Sequence, residues 1–493
     1  MLTVQEIKTF IDNDAASTKK QLAKTGLRYY EGDHDIKNYR IFFVDANGNL
    51  QEDKYKSNIK ICHSFFTELV DQEVQFMLSG KDGFVKSDDP ELQAYLDEYF
   101  NDNEDFTSEL YEVITGAVSK GFEYAYAYKT AEGKTAFQCA DSMGVVEVRA
   151  KETNDNCDYV IFWYVDRIGK DNKKIKRIQV WDSTQTHFFV QEDDGQIELD
   201  KGEKDNPRPH AIYKKDNDEN RYYEDYGFIP FFRLDNCKKQ FSGLKPIKAL
   251  IDDYDLMSCG LSNNIQDSNE VLYVVKGFQG DNLDELQLNT KTKKLVGVDD
   301  DGGIDIKTVD IPVEARKTKL ELDEKNIFRF GMGVNTESLK DTSATTSIAI
   351  KSAYSLLDLK CNKLEIRLKQ FMRKLLKVVL KEINDENDTD FQQKDVYFNF
   401  EREIITNAQE NAQIELTEAQ RKQTEITTLL NLATYLDDET LMQLVCEQLD
   451  IDYNDIKDKI PMQEDDDLIT AKDALDAVQT EDLADGTGGD LIE

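Results

Sequence analysis

The sequence is poor in positive charge, in long apolar runs and in every compact catalytic signature. Lysine and arginine total 61 against 98 aspartates and glutamates, a formal net charge of −37 over 493 residues. A free-standing protein that grips nucleic acid by neutralising phosphates presents a basic surface, so that class is disfavoured. The acidic excess suits solubility. No window approaches the roughly 18 consecutive apolar residues of a membrane span. MLTVQEIKTF has no basic stretch followed by an apolar core, so no signal peptide is expected. The seven cysteines (Cys62, Cys139, Cys157, Cys237, Cys259, Cys361, Cys446) form no C-x-x-C pair, which leaves them as small reduced core residues rather than zinc ligands.

Chemical motifs are equally scarce. GKT at Gly133–Thr135 lacks the glycine that a phosphate loop needs five residues earlier, where Tyr128 stands. It also sits between alternating strands instead of opening a helix. Asp299, Asp300, Asp301 and Asp305, and Asp45 with Asn47, do not keep the ligand offsets of a calcium loop. His34, His63, His187 and His210 are dispersed, with no H-E-x-x-H, and there is no G-x-S-x-G elbow. Catalytic residues, a metal and a cofactor are all expected to be absent.

What is present is enough apolar material for two to four packing units, with 39% hydrophobic residues. Residues 1 to about 24 read as one helix, with Leu2, Ile7, Phe10 and Ile11 apolar. The Asn-Gly pair in Asp45–Asn49 signals a hairpin. Helices are expected over Ile59–Leu78, stopped by Gly80, and over Pro90–Phe100 and Phe106–Ser119. From Gly121 the alternation of β-branched and aromatic residues predicts antiparallel sheet, with a turn at Glu132–Gly133. Lys201–Tyr226 reads as a loop or weak hairpin.

An unusual order follows. A helix over Leu244–Asn269 carries Ile247, Leu250, Ile251, Tyr254, Met257, Leu261 and Ile265 on one face. Then comes a polar insert with strands EVLYVVKGF, LVGV and IDIKTV, and Pro312 opens a second helix with Val313, Leu320 and Ile327 seven apart. Gly331–Ser347 is a small, hydroxyl-rich interruption before a long helix, Ile348–Ile383. That helix has an apolar stripe of Leu357, Cys361, Leu364, Leu368, Met372, Leu375, Val379 and Ile383. Its other face bears Lys360, Lys363, Arg367, Lys369, Arg373, Lys374 and Lys377, which by default is solvated or ion-paired. If that face meets a partner, an acidic neighbouring subunit is favoured over DNA. DVYFNF is a short strand, residues 407–459 read as two or three helices, and the acidic tail from Gln463 favours partial disorder. Two helices around a small β module make a poor enzyme core and a good ring wall.

Four segments carry a family likeness. They are Tyr29, Tyr30, Gly32, Asp33, His34, Asp35 and Ile36; Asn58, Lys60, Ile61, Val70, Asp71, Gln72, Leu78 and Gly80; Ile229, Pro230 and Phe231; and Leu250, Ile251, Asp252, Tyr254 and Asp255. Together and in this order they resemble the portal proteins of tailed bacteriophages, of the SPP1 type. Asp235–Asn236 departs from an asparagine pair common in that family, and beyond about residue 405 the likeness is only one of helical character.

The resemblance implies an α+β fold of portal architecture, with wing, stem, clip and crown and long helices around a ring channel. Residues 1–241 would be the wing, 242–269 and 312–330 the two stem helices, and 270–311 the clip. Residues 331–347 would be the tunnel loop, 348–405 the long wing helix and its following strand, 406–462 the crown and 463–493 an acidic tail. It also implies a homo-oligomer, a dodecamer, at the capsid vertex of the virion, assembled in the host cytoplasm. Double-stranded DNA would pass through it during packaging and ejection. The implied partners are the terminase motor, head-completion or adaptor proteins, and the major capsid and scaffolding proteins, with no membrane. On that plan an acidic bore, with Asp252, Asp253 and Asp255 flanking the first stem helix, would let DNA slide. Channel contacts would come from Asn335, Thr336, Ser338, Lys340, Thr342, Ser343, Thr345 and Thr346, where Lys340 is the sole base of the loop. Gly331, Gly333, Ser343 and Ala344 supply the small residues a crowded axis needs. Partner contacts would come from Gln279, Asp281, Asn282, Asp284, Glu285, Asn289 and Lys291 of the clip. Two alternatives stand beside this: a metal-dependent nucleic-acid-processing enzyme, and another head-tail adaptor or scaffolding protein.

Overall fold

The fold is that of a computed structural model, which describes residues 1–45, 47–54, 56–149, 157–168, 173–193, 195–213, 222–267, 272–278, 298–307, 312–336, 347–402, 408–431 and 438–448. It mixes helix and sheet in an α+β arrangement and divides into two compact units, Met1–Ile405 and Thr406–Glu493.

The first unit opens with two helices where one was expected, α1 (Val4–Ala16) and α2 (Thr18–Tyr30). Ser17 separates them: its backbone is extended, its N–H donates to the Asp14 carbonyl, and its hydroxyl accepts from the Lys20 N–H. A serine that caps the next helix this well outweighs the continuing apolar period. The Asn-Gly hairpin forms as expected, pairing β1 (Phe42–Val44) with β2 (Leu50–Glu52) in the register Val44↔Leu50. Helix α3 (Phe65–Met77) starts later than its pattern suggested, because residues 57–63 are extended along another helix. Then come β3 (Val85–Ser87), α4 (Pro90–Leu96) and α5 (Glu104–Lys120), with Asp89 and Asn103 as N-caps of the two helices.

The alternating region is antiparallel, but it makes two sheets. Strands β4 (Phe122–Lys129) and β5 (Thr135–Ala140) belong to one; β6 (Val145–Val148), β7 (Tyr159–Ile168), β8 (Lys173–Trp181), β9 (Gln185–Glu192) and β10 (Ile197–Leu199) form the other in meander order. β11 (Arg208–Pro209) lies beside β9, and β12 (Ala211–Tyr213) pairs with β13 (Tyr222–Glu224), giving the weak hairpin expected there. β14 (Phe231–Asp235) completes the three-stranded sheet β14-β4-β5 as an edge strand, the position where the preceding Pro230 is tolerated. The Ile229–Phe231 segment thus leads into this strand, ahead of the helix that follows.

Next are α6 (Lys248–Asp267), β15 (Leu272–Phe278), β16 (Val298–Lys307), α7 (Val313–Gly331) and α8 (Ser347–Asn387). β15 and β16 pair antiparallel, β16 contains most of the expected strand IDIKTV, and LVGV lies outside the described residues except for Val298. α8 runs 41 residues and buries the predicted stripe: Leu357, Cys361, Leu364, Leu368, Met372, Leu375, Val379 and Ile383 are all in the main core. There they meet Leu69 and Val70 of α3 and Leu110 and Ile114 of α5. Near its end Glu382 is buried against the β4–β5 hairpin, accepting from Tyr99 Oη (2.8 Å), Lys129 Nζ (2.7 Å), and the Thr135 N–H and hydroxyl. Lys360 leaves the basic face, since its Nζ lies 2.8 Å from the buried Glu73 carboxylate, and Lys369 pairs with Glu365. β17 (Val396–Phe398) returns to pair with β3. A second, smaller core holds Ile7 and Ile11 of α1 against Ile161, Ile178 and Phe189 of the large sheet.

In the second unit α9 (Ala408–Asn431) packs with α10 (Asp438–Gln448). The third helix allowed by the sequence and the acidic tail lie outside the described residues. Among the described residues no helix is long and apolar enough to cross a membrane.

Gly121 ends α5 at φ +101°, and an added Cβ would lie 2.9 Å from the carbonyl carbons of Gln240 and Phe241. Gly121→Ala should therefore lower stability by about 1–3 kcal/mol through strain and overpacking, read as a lower urea midpoint with an unchanged slope.

Candidate functional site

Helices α6 and α7 pack side by side with the β15–β16 hairpin between them in sequence. Lys319 Nζ of α7 lies 2.5 Å from Asp253 of α6 and also pairs with Asp323. Further along, Arg316 lies against Gly260, where an added Cβ would be 3.3 Å from its guanidinium. As the α6 numbers rise the α7 numbers fall, so the two helices run antiparallel.

A further flank of α6 is occupied by residues 57–63. The N–H groups of Ser57, Ile59, Ile61 and His63 donate in turn to Asp267 (3.2 Å), Asn263 (2.7 Å), Cys259 Sγ (3.2 Å) and Asp255 (3.0 Å). Every second residue of an extended chain thus meets every fourth residue of a helix. The match is metric: two strand residues rise about 6.6 Å and four helical residues about 6.0 Å.

Asp255 ends this ladder and is fully buried. Its carboxylate takes His34 Nδ1 at 2.6 Å and His63 Nδ1 at 2.7 Å, besides the His63 N–H. Burial pushes the Asp255 carboxyl up, but the bonds from His34 and His63 outweigh it and hold the carboxyl below its ordinary value. One helical turn earlier, Asp252 accepts from the Tyr29 hydroxyl and pairs with Lys248 at 2.7 Å. Lys248 also holds Asp35 at 2.6 Å; burial would raise the Asp35 carboxyl, yet Lys248 and Arg28 bring it down to about 2. Tyr29 stacks on His34 with ring centroids 4.5 Å apart. Asp252, Asp253 and Asp255 are therefore all engaged within the chain, with Asp255 buried while the Asp252 and Asp253 side chains remain 36% and 45% accessible.

The same geometry explains the other motif residues. Tyr30 donates to Asp71 (3.0 Å), and the Thr67 hydroxyl donates to the Tyr30 carbonyl (2.6 Å), tying α2 to α3. Gln72 binds both backbone groups of Val334, donating to its carbonyl at 3.0 Å and accepting its N–H at 2.9 Å. Gly331 and Gly333 sit against Leu69 of α3, which a Cβ on either would strike. Their smallness is demanded by this packing. The chain leaving α7 is thus clamped to α3 as far as Val334.

Among the residues expected to line a channel, Asn335 donates to Glu324 of α7 at 3.1 Å and Thr336 is exposed. Ser338, Lys340, Thr342, Ser343, Thr345 and Thr346 lie outside the described residues, as do Gln279, Asp281, Asn282, Asp284, Glu285, Asn289 and Lys291. Gly133–Thr135 is a turn between β4 and β5 in which Lys134 pairs with Glu98 and Thr135 with Glu382. The sequence pass missed Cys259, Asn263 and Asp267 as strand-holding groups. Their spacing of four from Asp255, facing the two-residue alternation of Ser57–His63, was the available signal.

The family described as "Phage portal protein, SPP1 Gp6-like" matches residues 10–452. The portal protein of Bacillus phage SPP1 is 26% identical over 394 residues, covering 79% of this chain and 75% of that protein. The portal protein of Clostridium phage phiCD119 is 28% identical over 194 residues, 38% of this chain and 42% of that protein.

Removing the shared anchor has a defined consequence. Asp255→Asn should cost about 2–4 kcal/mol at neutral pH, because the buried His34 and the half-buried His63 lose a charged acceptor. The folded carboxyl titrates below the ordinary value of about 4. Its contribution is therefore complete above that value and is lost as pH falls through the lower folded one. Urea midpoints of the wild type and the variant should converge only in that acidic window.

Proposed function

As the chain belongs to the SPP1 Gp6-like family of phage portal proteins, we propose that it assembles into a homo-oligomeric ring, a dodecamer, at the capsid vertex. The ring is the conduit for double-stranded DNA during packaging and ejection. It is also the platform on which the terminase motor and the head-completion or adaptor proteins dock, next to the major capsid and scaffolding proteins. The observation that carries this reading is the antiparallel pair α6–α7, held on one side by the ladder from Ser57–His63 and separated in sequence by the paired strands β15 and β16. A paired helix of this kind suits a stem that must keep its spacing to neighbouring copies under load. The hairpin suits a clip at its end, with Gln279, Asp281, Asn282, Asp284, Glu285, Asn289 and Lys291 as docking residues. Met1–Phe241 serves as the wing, α8 as its long helix and the second unit as the crown.

The clamp of Gln72 on Val334 supports a tunnel loop launched from a fixed point, with Asn335, Thr336, Ser338, Lys340, Thr342, Ser343, Thr345 and Thr346 toward the channel. Lys340 makes transient phosphate contacts there, and weak nonspecific contact is what sliding DNA requires. The chain performs no catalysis, and ATP hydrolysis belongs to a separate motor. The hairpin turn at Gly133–Thr135, with Lys134 and Thr135 already engaged, is in keeping with this.

Negative-stain imaging with mass by light scattering tests the ring. Particles with an axial hole and a mass near twelve chains are expected. A single-chain particle that cleaves DNA only with a divalent metal would overturn the proposal. Lys340→Ala should leave the ring mass unchanged while altering packaging or retention of DNA; an unchanged packaging yield removes Lys340 from the channel contacts.

A further inference from the structure

Two exposed surfaces of the first unit look for partners, and they differ in kind. The first is the β1–β2 hairpin, whose strands pair only with each other among the described residues. All six strand residues are exposed, with Phe42 52%, Val44 65% and Leu50 67% accessible. A two-stranded hairpin is at best marginally stable alone in water, and this one turns apolar side chains outward from both strands. Its shape is nevertheless fixed. The Asp45 carboxylate accepts from the N–H groups of Asn47 (2.9 Å) and Asn49 (2.8 Å) and from the Gln51 amide (2.8 Å). The ladder on α6 holds the returning chain in place.

The second surface is the outer face of α8. Leu356, Leu359, Lys363, Ile366, Lys374, Lys377 and Lys381 are exposed and recur at steps that place them on one side of the helix, opposite the buried stripe. Among the described residues none of these four lysines has an ion-pair partner. In a chain of net charge −37, a face with leucine and isoleucine at one end and three lysines toward the other is an exception.

We propose that the β1–β2 hairpin of one copy seats on the outer face of α8 of a second copy, head to tail. This rests on the ring reading above and assigns its junction. The chemistry is complementary in its apolar part: residues 42–53 carry four large apolar side chains, with Asp45 held in the turn and Glu52 paired with Arg40 at 3.0 Å, and α8 offers leucine and isoleucine beside lysine. Because the two patches are different regions of one chain, the contact is heterologous, the kind that propagates around a ring and closes when the rotation allows.

Two double variants at exposed positions test this: Phe43→Asp with Val44→Asp on the hairpin, and Leu359→Asp with Ile366→Asp on α8. Circular dichroism should match the wild type for both. Light scattering should show each variant alone at the mass of one chain. An equimolar mixture should give a two-chain species, because the first variant keeps its α8 face and the second keeps its hairpin, leaving one intact junction. Rings from either variant alone would overturn the junction while leaving the ring reading standing. Self-paired dimers of the α8 variant would also overturn it, since they mean a hairpin-to-hairpin contact. Wild-type protein that stays single-chain in the same assay removes the ring reading, and the junction with it. Lys374→Glu with Lys377→Glu should weaken assembly. Wild-type rings from this variant that have lost binding to a DNA duplex would reassign the basic face to DNA and overturn the proposal.

Discussion

The buried carboxylate of Asp255 is the constraint on which the rest of this arrangement depends. An ionised group at that depth is tolerable only with donors on its oxygens, and here they come from His34, His63 and the His63 N–H. Those donors belong to two separate chain segments, so satisfying one charge fixes both against α6. Tyr29 on Asp252 and Lys248 between Asp35 and Asp252 repeat the same union one turn away. Replacing the cluster with apolar residues would still bury surface, but it would not dictate the register of residues 57–63 along the helix.

That register has consequences at a distance. Once four alternate amides are committed to Asp267, Asn263, Cys259 and Asp255, the β1–β2 hairpin is held at a defined place beside α6. α7 is tied to α6 by Lys319, and its exit is tied by Gln72 to α3. The core of α3, α5 and α8 therefore transmits a fixed position to the helix pair, while the outer face of α8 and the hairpin remain open. A rigid frame with two unlike open surfaces is what a subunit of a closed ring requires.

Much of this was legible in the residues. The 3.6-residue stripe on Ile348–Ile383 predicted both the long helix and its buried side chains, because burial along a helix must follow its own period. The Asn-Gly turn and the alternation after Gly121 predicted antiparallel strands. Local chemistry also explains two failures. Ser17 reads as one polar residue in a helical run until its capping bonds are seen. Ile59–Leu78 looks continuous because Ile59 and Ile61 fit a helical stripe as readily as an extended one, and only the partners on α6 decide.

The sequence by itself determined the element types, the apolar faces and the order helix, β insert, helix, loop and long helix, since each depends on residues close in the chain. It also carried the portal-family motifs, but as separate strings whose purpose was not readable. Tertiary structure decided that His34, His63 and Asp255 share one buried site although 221 residues separate the first from the last. It decided as well that Asp252, Asp253 and Asp255 are held by donors from distant segments, and that Gly331 and Gly333 lie against Leu69. The physical reason is the same in each case. A charge or a glycine is specified by what lies within a few ångströms of it, and those neighbours come from distant parts of the chain.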